Sequence, residues 1–288
     1  MDSIIIHNQN LIPMAEARLS PQQAGLLMGW GVFSTLRIYR GRPFQYDRHW
    51  QRMRHDAERL SVPMPYDHQQ VYRCLLKLIE ANQRADGMAR IYFVRNTGGI
   101  WSGTNPPALT DLLIFTQPMV AWPSSYKLKV QPMAVFSAGI YAGAKMLSWA
   151  VNSTVQEKAK ADGYDDALLL NERGQIAECT SANVFLVRQS RVFTPPLSSG
   201  CLPGVTRDVV MEVAPSIGVP IVEQDLTVQD LRDADEVFIS SSTREVGGVA
   251  GIGGEITYQA PGHITAAMEN GFKEYVEKWL GAPKAAAK

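Results

Sequence analysis

Two side chains in this sequence could do chemistry together. Lys145 stands in Ala144-Lys145-Met146-Leu147-Ser148, and Glu178 in Gln175-Ile176-Ala177-Glu178-Cys179-Thr180-Ser181-Ala182-Asn183. Lys145 lies between a glycine-bearing turn, Gly139 to Gly143, and a helix, and its sequence neighbours are apolar or small. Desolvation lowers the pKa of an amine, and a neutral amine can add to a carbonyl to form a Schiff base. A lysine at a loop-to-helix junction is more often a solvated surface charge, so partners are needed. Glu178 supplies one: it sits where a hairpin strand is interrupted by small residues, so that something flat could approach closely.

Two further stretches have the form of anion sites. In Leu202-Pro203-Gly204-Val205-Thr206-Arg207-Asp208 a glycine leads into a helix whose first turn carries a hydroxyl, so free N–H groups and the positive dipole end would face a phosphate. In Glu236-Val237-Phe238-Ile239-Ser240-Ser241-Ser242-Thr243 a buried-type strand ends in four hydroxyl residues. Each alone has an ordinary explanation, a helix cap and a loop. Other chemistries find less support. His7, His49, His55, His68 and His263 show no zinc-type pairing, and surface positions on an arginine-rich helix account for His49 and His55. Neither a nucleophile elbow nor a P-loop occurs, and Gly25 to Gly31 lacks dinucleotide-fingerprint spacing.

The elements that must hold these residues follow from periodicity. Ile4 to Ile6 and Leu11-Ile12 predict an opening hairpin, and Val32 to Tyr39 a strand followed by a short one around Phe44. Asp47 is placed to cap a helix whose apolar face is Trp50, Met53, Ala57 and Leu60. Arg48, Arg52, Arg54 and Arg59 surround that face, and spacing does not choose among them. A second helix is expected over 67–84 with Val71, Leu75, Leu78 and Ile79 inward, then strands at 90–95 and 112–116. Pro118, Pro123 and Ser124-Ser125 mark a linker. Beyond it come a strand at 127–133, a helix over 149–161, a hairpin from Asp166 to Val187 broken at 179–182, a strand at 221–223 and a helix over 227–233. The fold class is mixed α/β (α+β) in two domains: 1–117, a linker over 118–126, and a larger domain over 127–288 carrying the lysine.

Composition fits. At 288 residues, with 45% hydrophobic and 19% charged, the chain can bury a core and is long enough for two domains. Lysine plus arginine and aspartate plus glutamate both number 28, which favours neither nucleic acid nor an anionic membrane and leaves a small molecule as the partner. Three widely spaced cysteines fit no disulfide framework, and no leader or long apolar run is present, so a cytoplasmic location is expected.

An amine, an acid, a helix N-terminus and a hydroxyl-rich strand end are together what pyridoxal 5'-phosphate requires. At this point the chain resembles the fold-type IV pyridoxal-phosphate enzymes, or class IV aminotransferases, which include branched-chain aminotransferases, D-amino-acid transaminases and aminodeoxychorismate lyase. The carriers are Gly31-Val32-Phe33 with Arg37, His49-Trp50-Gln51-Arg52, Lys145-Met146-Leu147, Glu178 with Ala182-Asn183-Val184-Phe185, Leu202 to Asp208, and Asp235 to Phe238. The resemblance implies that Lys145 is the catalytic residue and binds the cofactor as an internal aldimine, and that Glu178 pairs with the pyridinium. It implies that Arg52, Val205, Thr206, Ser242 and Thr243 take the phosphate, that Leu202 presses on the ring, and that Ser181, Asn183 and Gly204 complete the cofactor contacts. It also implies a cofactor between the two domains and an active site completed at a homodimer interface.

Departures bear on the substrate. Gly29-Trp30-Gly31 stands where many members have Gly-Asp-Gly, and the R-x-H pair of D-amino-acid transaminases is missing from Arg95-Asn96-Thr97-Gly98-Gly99-Ile100-Trp101. Met88 and Trp149 replace tyrosines of the branched-chain enzymes, which Asn105-Pro106-Pro107 does resemble. The expectation is a transaminase exchanging an amino group between an amino acid or primary amine and a 2-oxo acid by a ping-pong mechanism. Arg37 or Arg95 would receive the carboxylate, and Phe33, Trp30, Trp101 and Trp149 would be wall candidates. Thr35 and the 178–183 stretch lie close to the lyase pattern, which makes aminodeoxychorismate lyase the alternative, with a non-catalytic pyridoxal-phosphate-binding protein the remote one.

Overall fold

The computed structural model describes residues 1–99 and 108–281. The chain divides into two compact units, Met1–Val120 with Ala144–Trp149, and Ala121–Gly143 with the chain from Ala150 onward. Among the described residues the first unit holds β1 (Ile4–His7), β2 (Asn10–Pro13), α1 (Ala24–Met28), β3 (Gly31–Tyr39), β4 (Arg42–Pro43), α2 (Tyr46–Arg59), α3 (His68–Ala81), β5 (Gly87–Arg95) and β6 (Thr110–Gln117). Its sheet runs β2-β1-β6-β5-β3-β4. The opening hairpin pairs Ile5 with Ile12. Strand alternation sends Val32, Ser34, Leu36 and Ile38 of β3 into the core, where Trp50, Met53, Ala57, Leu75 and Leu78 meet them.

A local expectation changes. Asp47 does not cap α2: the helix starts at Tyr46 behind Gln45 in the left-handed region, and the Asp47 carboxylate meets His68 Nε2 instead, at 2.6 Å. A cap does form locally at α3, where Asp67 and Gln70 make a reciprocal capping box.

Ala144–Trp149 folds with the first unit, whereas the sequence places the lysine with residues 127–288. The cause is an edge of β3 that β4 leaves open. Phe33 N–H donates to the Lys145 carbonyl at 3.1 Å, Leu147 N–H to that of Gly31 at 2.9 Å, and Val32 bridges Met146. Gly31 permits this approach, because a Cβ there would collide with the Phe93 carbonyl and the Leu147 side chain.

The second unit contains β7 (Tyr126–Val135), α4 (Ala150–Ala161), β8 (Asp166–Asn171), β9 (Ile176–Cys179), β10 (Asn183–Arg188), β11 (Arg191–Thr194), α5 (Val205–Ser216), β12 (Ile221–Glu223), α6 (Val228–Arg232), β13 (Glu236–Ser241), β14 (Glu245–Ile252), β15 (Ile256–Thr257) and α7 (His263–Gly281). The sheet order is β12-β11-β10-β13-β14-β7-β8-β9, with β15 on β14. The expected hairpin forms between β8 and β9, and the break is where the chain leaves it, since β10 pairs with β11 and β13 and not with β8. Helix α7, which the local pattern did not announce, is capped from elsewhere: Glu236 of β13 accepts the N–H groups of Ile264 and Thr265 at 2.8 and 2.7 Å.

Candidate active site

In the first unit, Lys145 is fixed through its backbone and presents its amine to rings. Its N–H donates to Asp56 Oδ2 at 3.1 Å and its carbonyl accepts from Phe33. The Nζ lies 4.7 Å from the centroid of Phe33 and 4.3 Å from that of Trp149, and these rings meet edge to face at 5.5 Å. Tyr92 stacks on Phe33 at 5.6 Å, so the wall extends onto β5. Aromatic faces favour the ammonium form only modestly, by about 0.5–2 kcal/mol. Desolvation acts in the opposite sense. Strand alternation puts Thr35 and Arg37 on the same face of β3 as Phe33.

Among the arginines of α2, packing singles out Arg52. Its Nη2 donates to Ser34 Oγ at 3.0 Å, while Arg54 is exposed and pairs with Glu58. Ser34 Oγ also lies 2.9 Å from His49 Nδ1. A guanidinium can only donate, so Ser34 accepts from Arg52, and the direction of its contact with Nδ1 follows the tautomer of His49. His49 is buried, 2% exposed, contrary to the expected surface position. Burial, then the charges of Arg52 and Lys145, hold its pKa well below the ordinary range. Asp56 is buried as well, and burial pushes its carboxyl up against the pull of the Lys145 N–H and of Arg52.

The two arginines expected to meet a substrate carboxylate both hold backbone. Arg37 Nη1 donates to the carbonyl of Gly87 at 2.9 Å and to that of Ile38, and its guanidinium lies over Tyr39. Arg95 donates to the carbonyls of Thr97 and Ser61 and covers Trp30 at 4.0 Å. Trp30 in turn donates to the Leu60 carbonyl at 2.8 Å, which makes it a strut between β3 and the end of α2. Trp101 and Asn105-Pro106-Pro107 lie outside the described residues.

In the second unit, Glu178 is half-buried and its Oε2 accepts the Leu202 N–H at 3.1 Å. Asn183 Nδ2 donates to the Leu202 carbonyl at 2.9 Å, so both sides of the Leu202 peptide are held. Gly204 begins α5 without a side chain to cap it, and a Cβ there would collide with Asn183 Oδ1. The first-turn residues Val205 and Thr206 are buried. Ser242 and Thr243 are half-buried in the turn from β13 to β14. The Ser181 hydroxyl donates to Asp166 at 3.1 Å and accepts from Arg244 at 2.9 Å.

The sequence reading missed Asp56, Ser34, Asp166 and Arg244. A signal existed for Asp166, a carboxylate opening the otherwise apolar run Ala167-Leu168-Leu169-Leu170. Burial raises the thiol of Cys201 to about 11 and that of Cys179 well above its ordinary value, so neither is a ready nucleophile. Among the described residues, no cluster of His, Cys, Asp or Glu is placed to hold a metal ion, and no helix is long and apolar enough to cross a membrane.

Residues 31–252 match the family model described as Amino-transferase class IV. A Methanocaldococcus jannaschii protein assigned as a branched-chain-amino-acid aminotransferase is 29% identical over 278 residues, spanning 94% of this chain and 96% of its own. The D-alanine aminotransferase of Listeria monocytogenes is 27% identical over 283 residues, with 96% and 97% covered. The Escherichia coli branched-chain amino acid aminotransferase superposes with a TM-score of 0.87 at 26% identity, covering 95% of this chain and 94% of that one. The Thermoproteus uzoniensis branched-chain aminotransferase, solved with norvaline, shares the fold with a TM-score of 0.88 at 24% identity, over 97% and 98%.

Proposed function

The chain belongs to the class IV aminotransferases and is an aminotransferase, and from that premise we propose that it works with pyridoxal 5'-phosphate bound through Lys145. It would exchange an amino group between an amino acid or primary amine and a 2-oxo acid in ping-pong order. The observation that carries the reading is the setting of Lys145: a backbone pinned by Asp56 and Phe33, and an amine facing two rings.

The residues present fit the cofactor. No side chain caps the start of α5, so its N–H groups and dipole end can serve an anion, and Thr206 adds a hydroxyl in the first turn. Arg52, a guanidinium anchored on Ser34, is assigned to the phosphate with Ser242 and Thr243. Glu178 is assigned to the pyridine nitrogen. When bound, the cofactor supplies an electron sink that acidifies the α-hydrogen of the amino donor. Lys145 Nζ would take that proton and return it when the 2-oxo acid is aminated, a general-base role open to an amine. Glu178 keeps a negative charge where a proton must be held, and its Leu202 N–H partner fixes the direction of the carboxylate. Phe33, Tyr92 and Trp149 exclude water beside the amine.

Exposed apolar side chains support a homodimer: Leu26, Leu27 and Met28 in the first unit, and Met133, Phe136 and Ile140 in the second. All three cysteines are unpaired, which supports a reducing, cytoplasmic setting. Borohydride reduction of the purified protein with pyridoxal 5'-phosphate should leave a pyridoxyl group on Lys145, found by peptide mapping. No such adduct would end this reading. Thr35, on the Phe33 face of β3, favours aminodeoxychorismate lyase as the second reading. Pyruvate release from aminodeoxychorismate without an amino acceptor would establish it, whereas conversion to the pyridoxamine spectrum on adding an amino acid alone marks transamination.

A further inference from the structure

Behind Glu178 lies a closed charge pair that amino transfer does not use. Asp166, fully buried at the start of β8, accepts the Ala167 N–H at 2.8 Å, the hydroxyls of Thr180 and Ser181, and Arg244 Nη2 at 3.0 Å. Arg244 reaches it from the turn between β13 and β14 with its side chain only 2% exposed. Its Nη1 donates to the Ser181 carbonyl at 3.2 Å and hydroxyl at 2.9 Å, and Trp122 covers the guanidinium at 4.2 Å.

A buried ion pair is a poor source of net stability, since desolvation offsets much of the attraction, but its several directed bonds fix geometry. What it fixes here is specific. Thr180 and Ser181 lie in the break between β9, which carries Glu178, and β10, and Arg244 immediately follows Ser242 and Thr243. Asn152 Nδ2 adds a bond to the Thr180 carbonyl at 3.0 Å, and the Arg244 N–H one to Ser241 Oγ at 3.2 Å. One guanidinium thus joins the break beside the acid to the turn that carries the hydroxyls.

We propose that Asp166 and Arg244 are positioning residues that hold Glu178 and the Ser242-Thr243 turn in register for the cofactor. The proposal rests on the cofactor assignment above and extends it to two residues that touch no reacting atom.

Two variants test it. Thr180→Val removes a link between the break and Asp166 while keeping the charge pair and the side-chain shape, so the fold is retained. Arg244→Lys keeps the charge but cannot bridge Asp166 and Ser181 together. Pyridoxal 5'-phosphate is titrated into the apoproteins by absorbance, and thermal unfolding is followed with and without it. Both variants should bind the cofactor about tenfold or more weakly, by analogy with losses when the partners that orient a ligand group are removed, and the rise in Tm on adding cofactor should shrink. Unchanged affinity, with the apo and holo Tm lowered equally, would mean that the pair is only structural and would overturn the proposal. If Arg244→Lys fails to fold, the affinity of Thr180→Val decides. A wild-type protein that binds no pyridoxal 5'-phosphate would instead remove the cofactor assignment, and this inference with it.

Discussion

Around Lys145 the backbone is held by Asp56 and Phe33 and the amine faces two rings, whereas around Glu178 the side chain itself accepts an N–H and the residues behind it are hydrogen-bonded. The two neighbourhoods suit opposite demands. An amine that must give up a proton is served by apolar walls, and a carboxylate that must stay ionised is served by donors. The polar chains behind them differ in the same way. Ser34, His49 and Arg52 form a series that ends in a cation, with the histidine kept neutral. Asp166 and Arg244 form a closed pair whose charge is matched internally.

The largest test of this contrast is Lys145→Ala, which should lower turnover by about 10⁴-fold or more while the protein still folds. Intact turnover would mean that the aromatic neighbourhood has no chemical role. Glu178→Gln keeps the shape and removes the charge, and kcat/KM should fall by about 10²–10³-fold, as when one preorganised electrostatic contact is lost. A loss confined to KM would recast Glu178 as a binding group only.

Gly204→Ala probes how tightly the second neighbourhood is packed. The added methyl meets Asn183 Oδ1 and should cost about 1–3 kcal/mol in urea unfolding, with a weaker hold on cofactor. Wild-type stability would show that Asn183 moves aside freely.

The neutral histidine gives a pH signature. Between its lowered native value and the ordinary 6.5, the unfolded chain holds a proton that the folded one refuses. Stability is therefore full above about pH 6.5 and falls with acid, by up to about 1.4 kcal/mol per pH unit. Asp56 opposes it, since its raised carboxyl takes up a proton first in the folded state and acid relieves that cost. His49→Asn should flatten the loss between about pH 6.5 and about pH 5.5 in unfolding titrations. An unchanged slope would assign the acid sensitivity elsewhere. The smallest effect belongs to Trp30→Phe, which removes the bond to the Leu60 carbonyl and weakens the contact with Arg95. About 1 kcal/mol of stability should be lost, with kcat unchanged.

Much of this was legible before any coordinates. The opening hairpin, β3, the buried face of α2, the inward residues of α3 and the interrupted hairpin follow from periodicities of 2 and 3.6, which are local. Lys145, Glu178 and the glycine before α5 stood out because their neighbours were unusual for their type. Asp47 misled, since a good capping residue found a histidine partner from another helix. Helix α7 escaped notice because its cap, Glu236, comes from a distant strand.

The sequence by itself determined which groups are available: one amine among small and apolar neighbours, one acid in a broken hairpin, and a glycine where a helix begins. Only the tertiary structure decided that Arg52 is the arginine tied to Ser34, that His49 is buried and neutral, that Arg95 braces Trp30, and that Asp166 finds Arg244. Those choices depend on contacts between residues far apart in the chain. Identical residue types at similar spacing become distinct once packing removes water from some and leaves it around the others.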